Sequence, residues 1–117
     1  MGQLTTHVLD TSCGQPAVGM KIDLLRFENS GWRRLKTVQT NTEGRVSEAL
    51  LGGADLVAGR YRLEFHVGAY FRSTGVNLPN PPFLEEVPIQ IGIADPNSHY
   101  HVPLLCSPWS YATYRGS

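Results

Sequence analysis

The sequence carries no excess charge, few cysteines and no long apolar run, and each shortage closes off a class of protein. Ten Lys and Arg are matched by ten Asp and Glu among 117 residues, for a formal net charge of zero. A chain without a basic surplus has no electrostatic footprint for nucleic acid or an anionic membrane, so neither is expected as a partner. The same balance leaves little repulsion between copies, which favours self-association. The apolar stretch Val87 to Ile93 falls far short of the roughly 20 residues that span a bilayer. Met1-Gly2-Gln3-Leu4 lacks the basic start and apolar core of a secretory signal. Without an export signal, Cys13 and Cys106 read as two reduced thiols, and the expected compartment is the cytoplasm. There is no CxxC, HExxH, Gly-rich phosphate loop, GxSxG elbow or catalytically spaced carboxylate pair, so the usual motifs of zinc, nucleotide and serine-hydrolase chemistry are missing. No cofactor and no dedicated metal site are expected.

What is present is a globular composition, 41% hydrophobic and 17% charged, at a length that suits one domain over residues 1–117. Short alternating runs separated by turn residues dominate, which argues for the strands of an antiparallel sandwich. Strands are expected over Leu4–Asp10, Met20–Phe27, Trp32–Thr40, Arg60–Val67, Glu85–Ala94, His99–Cys106 and Trp109–Arg115. Arg45–Leu51 stays open between an edge strand and a helical turn. Gly68–Gly75 is the one plausible helix, about two turns long. Leu78–Pro82 holds three prolines in five residues and reads as a loop. The total is seven or eight strands and one short helix.

Side-chain parity then locates the polar residues of interest. Alternate residues of a strand face opposite sides. His99 and His101 therefore share one face, while Tyr100, Val102 and Leu104 suit the core. In the first strand Leu4, Thr6 and Val8 oppose Thr5, His7 and Leu9. Near the end Tyr111, Thr113 and Arg115 oppose Ala112, Tyr114 and Gly116. Three distant segments could thus present His7, His101 and Tyr114 on one sheet face. The plain alternatives are that strand histidines are solvated, that Arg45 is an ordinary turn residue, and that Tyr111 and Tyr114 are packing aromatics. A His-x-His pair is also half of a zinc site, with His7 the one further ligand that parity allows.

Longer motifs carry the reading further. Thr5-Thr6-His7-Val8-Leu9-Asp10-Thr11 followed by Gly14-Gln15-Pro16-Ala17 resembles the opening signature of the transthyretin-related family. His99-Tyr100-His101-Val102-Pro103-Leu104-Leu105-Cys106-Ser107-Pro108 is similar to its second signature, and the closing Tyr114-Arg115-Gly116-Ser117 to the tetrapeptide of the 5-hydroxyisourate hydrolase branch. Asn41-Thr42-Glu43-Gly44-Arg45 and Tyr61–Phe65 fit the intervening pattern, so the resemblance spans nearly the whole chain. Cys106 stands where the family usually has leucine, and Asn77–Pro82 is unusually rich in proline. Pro103 can donate no ladder bond, so a local break in its strand is expected.

The resemblance implies an all-β, transthyretin-like β-sandwich of two four-stranded sheets with one short helix. It implies a homotetramer, with dimers paired by edge strands and sites at the dimer–dimer interface. It also implies hydrolysis of 5-hydroxyisourate without a cofactor. The residues so implied for catalysis are His7, Arg45, His101, Tyr114 and Ser117, and for substrate binding His7, Arg45, His99, Arg115 and Gly116. On those positions His101 is favoured as base, Arg45 as anion holder and His7 as orienting group, although either histidine could be the base. Two other readings compete. A carrier binding a small aromatic ligand in the same channel would favour apolar and hydroxyl linings over two histidines and an arginine. An adhesion module working by its edge strands would have no use for polar residues converging from three segments.

Overall fold

The computed structural model describes residues 1–116. Among them are nine strands: β1 (Gln3–Asp10), β2 (Gln15–Pro16), β3 (Lys21–Glu28), β4 (Gly31–Gln39), β5 (Leu51–Gly52), β6 (Gly59–Phe65), β7 (Val87–Ile93), β8 (Tyr100–Cys106) and β9 (Tyr111–Thr113). The single α-helix, α1, spans Val67–Ser73. One sheet runs β4-β3-β6-β7 and the other β2-β1-β8-β9, with β5 added beside β1. The second sheet therefore has five strands where four were expected. The strand that was not expected is β2, where Pro16 pairs with Leu9 and Gln15 with Asp10; the open segment 45–51 resolves at its end into β5, pairing Leu51 with Leu4 and Gly52 with Gln3.

The sandwich forms because both sheets alternate. In β1, Leu4, Thr6, Val8 and Asp10 are buried while Thr5, His7 and Leu9 are only partly covered. The facing sheet contributes Ile22, Leu24, Tyr61, Leu63 and Phe65, all fully buried, and α1 adds Phe71. Each such side chain stabilises the fold by about 1.5–3 kcal/mol relative to exposure. Asp23 breaks the alternation. It is buried beside Ile22 and Leu24, accepting a hydrogen bond from Thr37 and facing His66 Nε2 at 2.9 Å. Burial pushes its carboxyl up, but the bonds from Thr37 and His66 together hold it below the ordinary value.

The pairing that matters most for a site is β1 with β8. It is parallel and in unbroken register from Leu4↔Tyr100 to Asp10↔Cys106, although the rest of the sandwich is antiparallel. Pro103 sits inside it opposite His7. The expected break falls on the other side only. The β8–β9 ladder stops at Leu104↔Thr113 and resumes as a single bridge at His101↔Gly116. The Thr113 hydroxyl fills the gap by donating to the Pro103 carbonyl at 2.7 Å.

Candidate active site on the outer face of the β1–β8 sheet

Alternation that buries Leu4, Thr6 and Val8 turns Thr5 and His7 outward. The same rule in β8 buries Tyr100 and Val102 and leaves His101 partly open. The parallel register sets Thr5 beside His101, and their side chains meet, Thr5 Oγ1 lying 2.8 Å from His101 Nδ1. His7 is held differently: its Nε2–H donates to the Glu43 carbonyl at 3.0 Å. The two imidazoles are thus anchored by opposite nitrogens.

Arg45 reaches this face through a tight turn. The Asn41 side-chain oxygen accepts from the amides of Glu43 at 2.9 Å and Arg45 at 3.1 Å, an arrangement typical of Asx turns. Gly44 completes the turn at φ +74°, and a Cβ there would lie 2.4 Å from the Val8 carbonyl oxygen. Only glycine fits that close approach. The Val8 amide donates to the Gly44 carbonyl at 2.8 Å, and Arg45 then bridges to His7.

An open cleft of about 380 Å³ lies over this face, lined by Gln3, Thr5, Arg45, His99 and His101. The surroundings of His101 displace its acidity. Burial, then the charge of Arg45, then His7 hold its imidazole below the ordinary histidine value. The same causes favour the neutral ring over the imidazolium. A neutral imidazole beside a permanent guanidinium charge can take a proton while the cation holds a developing oxyanion.

The chain end closes over the same imidazole. The Gly116 amide donates to the His101 carbonyl at 2.8 Å. A Cβ on Gly116 would fall 2.5 Å from His101 Cδ2, so the backbone lies directly against the ring. Tyr114, two residues back and of the same parity, is exposed. It lines a neighbouring cleft of about 360 Å³ together with Ile89, Ile91, Tyr100, His101 and Arg115. The Arg115 guanidinium lies 4.3 Å over the Tyr100 ring and donates to the His99 carbonyl at 2.9 Å.

The structure thus brings together His7, Arg45, His99, His101 and Gly116, sets Tyr114 and Arg115 in the adjoining cleft, and leaves Ser117 outside the described residues. Sequence reasoning missed Thr5 and Gln3 as members of the site. Parity placed Thr5 with His7, but no local signal pairs it with a residue 96 positions away. Among the described residues no three His, Cys, Asp or Glu side chains lie close enough to share a metal ion. No helix of the described residues is long and apolar enough to cross a membrane.

Fold and site together define a transthyretin-like β-sandwich with a histidine–arginine cleft on its outer face. The profile of the HIUase/Transthyretin family matches residues 4–116, and the chain belongs to that family. It is 60% identical over 116 residues to "5-hydroxyisourate hydrolase 2" of Rhizobium meliloti (strain 1021), covering 99% of this chain and 97% of that protein. It resembles the structure of Klebsiella pneumoniae 5-hydroxyisourate hydrolase with a TM-score of 0.83 at 36% identity, each chain covered in full (100% and 100%). The crystal structure of (S)-allantoin synthase gives a TM-score of 0.93 at 44% identity, matching 99% of this chain and 44% of that longer chain.

Proposed function

We propose that the protein hydrolyses 5-hydroxyisourate to 2-oxo-4-hydroxy-4-carboxy-5-ureidoimidazoline, with the cleft over β1 and β8 as its active site. Water adds to a cyclic amide carbonyl, the ring C–N bond breaks, and the departing nitrogen takes up a proton. The observation that carries the reading is His101 and Arg45 lining one open cleft, where burial and the guanidinium charge disfavour the imidazolium. His101 is the base that takes the proton of the attacking water. Arg45 holds the anionic edge of the substrate and the charge that develops on the carbonyl oxygen. His7, fixed through Nε2, orients substrate or water. His99 and Gly116 bound the pocket, and Tyr114 and Arg115 complete it from the adjoining cleft.

The assembly proposed with this site is a homotetramer in which the outer faces of the β1–β8 sheets meet and enclose the clefts. The cleft on one chain is open to solvent, which supports this, because amide hydrolysis gains from a walled site that restricts water. A carrier would present an apolar channel and no neutral base beside a guanidinium.

The test is the ultraviolet absorbance of freshly generated 5-hydroxyisourate. The protein should speed loss of the signal well beyond the spontaneous rate. His101→Asn should lower kcat by about 10²–10⁴-fold with the oligomer unchanged by light scattering. Full activity in His101→Asn would remove the proposed base, and no acceleration by the parent protein would remove the hydrolase reading.

A further inference from the structure

One contact in the cleft has no role in the scheme above. Thr5 Oγ1 sits 2.8 Å from His101 Nδ1, from the neighbouring strand and at the paired register position. Neighbouring strands lie about 4.8 Å apart. A short hydroxyl side chain directly opposite the histidine therefore reaches the near nitrogen of the ring, Nδ1, and leaves the far one, Nε2. Building on the hydrolase reading, we propose that Thr5 is the positioning residue for His101: its hydroxyl accepts the Nδ1–H and presents Nε2 as the nitrogen that takes the proton.

The chemistry of a hydroxyl suits this task in a way that other partners would not. A neutral imidazole has one N–H and one lone pair, and an imidazolium has two N–H groups. An acceptor at Nδ1 keeps its bond in both states, so the ring stays in place as Nε2 gains and loses its proton. A donor at Nδ1 would lose its bond or put the proton on Nε2, removing the base. A carboxylate at Nδ1, the arrangement of hydrolase triads, would also accept, but it stabilises the imidazolium and so raises the basicity of the ring. Thr5 is uncharged and orients the ring without that effect. The positive charge of Arg45 close by then remains free to act on substrate instead of pairing with a carboxylate at the base.

A second contact confines the ring from the other side. Gly116 backbone packs so closely on Cδ2 that a Cβ would be only 2.5 Å away. The imidazole is held at Nδ1 by the Thr5 hydroxyl and bounded at its Cδ2 edge by the chain end, which restricts rotation about χ2. His7 shows the contrast, because its carbonyl partner occupies Nε2 and directs its lone pair to Nδ1. The two histidines are prepared for different tasks by which nitrogen the fold engages.

The experiment compares the full-length protein with Thr5→Val, which keeps the side-chain shape and removes the hydroxyl, and with Thr5→Ser, which keeps the hydroxyl. Steady-state hydrolysis of 5-hydroxyisourate gives kcat and KM. Nitrogen-15 NMR of the imidazoles at neutral pH, assigned against His101→Asn, gives the tautomer of His101. In the parent the proton should reside on Nδ1. Thr5→Val should lower kcat by about tenfold to a hundredfold with little change in KM, and should convert His101 to a mixture of tautomers. Thr5→Ser should recover most of the activity and the single tautomer. Unchanged kcat and unchanged tautomer in Thr5→Val would overturn the proposal, as would a parent His101 protonated on Nε2. If Thr5→Val does not fold, the parent and Thr5→Ser spectra still decide it. If the parent shows no hydrolysis, the hydrolase reading fails while the tautomer measurement tests the contact by itself.

Discussion

His7 and Arg45 face each other across a single antiparallel bridge that belongs to no continuous strand pair. An arginine in a solvent-facing turn is ordinarily free to wander, but here the backbone before it is fastened at Gly44, whose carbonyl accepts from the Val8 amide at 2.8 Å. The guanidinium therefore leaves from a fixed point beside the two histidines. Arg45→Lys keeps the charge and loses the planar fork, and kcat/KM should fall by about 10²–10³-fold with the melting temperature unchanged. Gly44→Ala should act one step earlier. Its Cβ meets the Val8 carbonyl, so stability should drop by about 1–3 kcal/mol in urea unfolding, with a parallel loss of activity. A Gly44→Ala protein of parental stability would show that the turn does not hold Arg45.

Acidity sets a second prediction. Burial, Arg45 and His7 together disfavour the charged form of His101, so its folded value lies below the ordinary 6.5. The base form persists as pH falls past 6.5 and is lost only on crossing the depressed value. The acid limb of kcat/KM should accordingly have its midpoint below pH 6.5, and a midpoint above it would contradict the assignment of His101. For stability the direction is the same. Below about pH 6.5 the unfolded chain binds the proton that folded His101 resists. This contribution is present above that pH and is lost as pH falls through the folded value.

The buried Asp10 offers a third. Tyr70 Oη donates to its carboxylate at 2.8 Å and the Ser12 amide donates at 3.0 Å. Burial raises the carboxyl, but the bonds from Ser12 and Tyr70 outweigh it and hold Asp10 below the ordinary value. Its contribution to stability is present above about pH 3.9 and disappears as pH falls through the folded value. Tyr70→Phe leaves a buried charge short of a donor and should cost about 1.5–3 kcal/mol, read as a lower urea midpoint at pH 7 with the difference narrowing in acid. An unchanged midpoint would show that water replaces the tyrosine.

The thiols give a fourth. Cys106 is buried and its acidity is pushed up to about 12, by burial first and then by the Asp10 charge, whereas Cys13 is exposed. A disulfide reagent added to the native protein should titrate one thiol per chain and a second only in denaturant. Two equally fast thiols in the native protein would argue against the burial of Cys106.

The residues of the site were legible to the extent that alternation is a local property. Parity in β1 and β8 placed His7 and His101 on the outward face, and burial agrees for every residue from Leu4 to Asp10. The burial of Asp23 was not legible because its partners come from elsewhere in the chain, Thr37 on β4 and His66 at the start of α1. The strand β2 was hidden for the same reason, since Gln15 and Pro16 become a strand only by lying beside Asp10 and Leu9. Tyr114 and Arg115 shared a motif with Gly116, yet the fold sends Arg115 over Tyr100 and Gly116 onto His101.

By itself the sequence determined the sandwich, the inward and outward faces of β1 and the chemical inventory of the cleft, because a two-residue repeat and a motif are written along the chain. Which side chain touches which was decided by the parallel pairing of β1 with β8, a contact closed across 96 residues that no short window contains. That pairing selects Thr5 as the neighbour of His101, and with it the nitrogen of the ring left free to accept a proton.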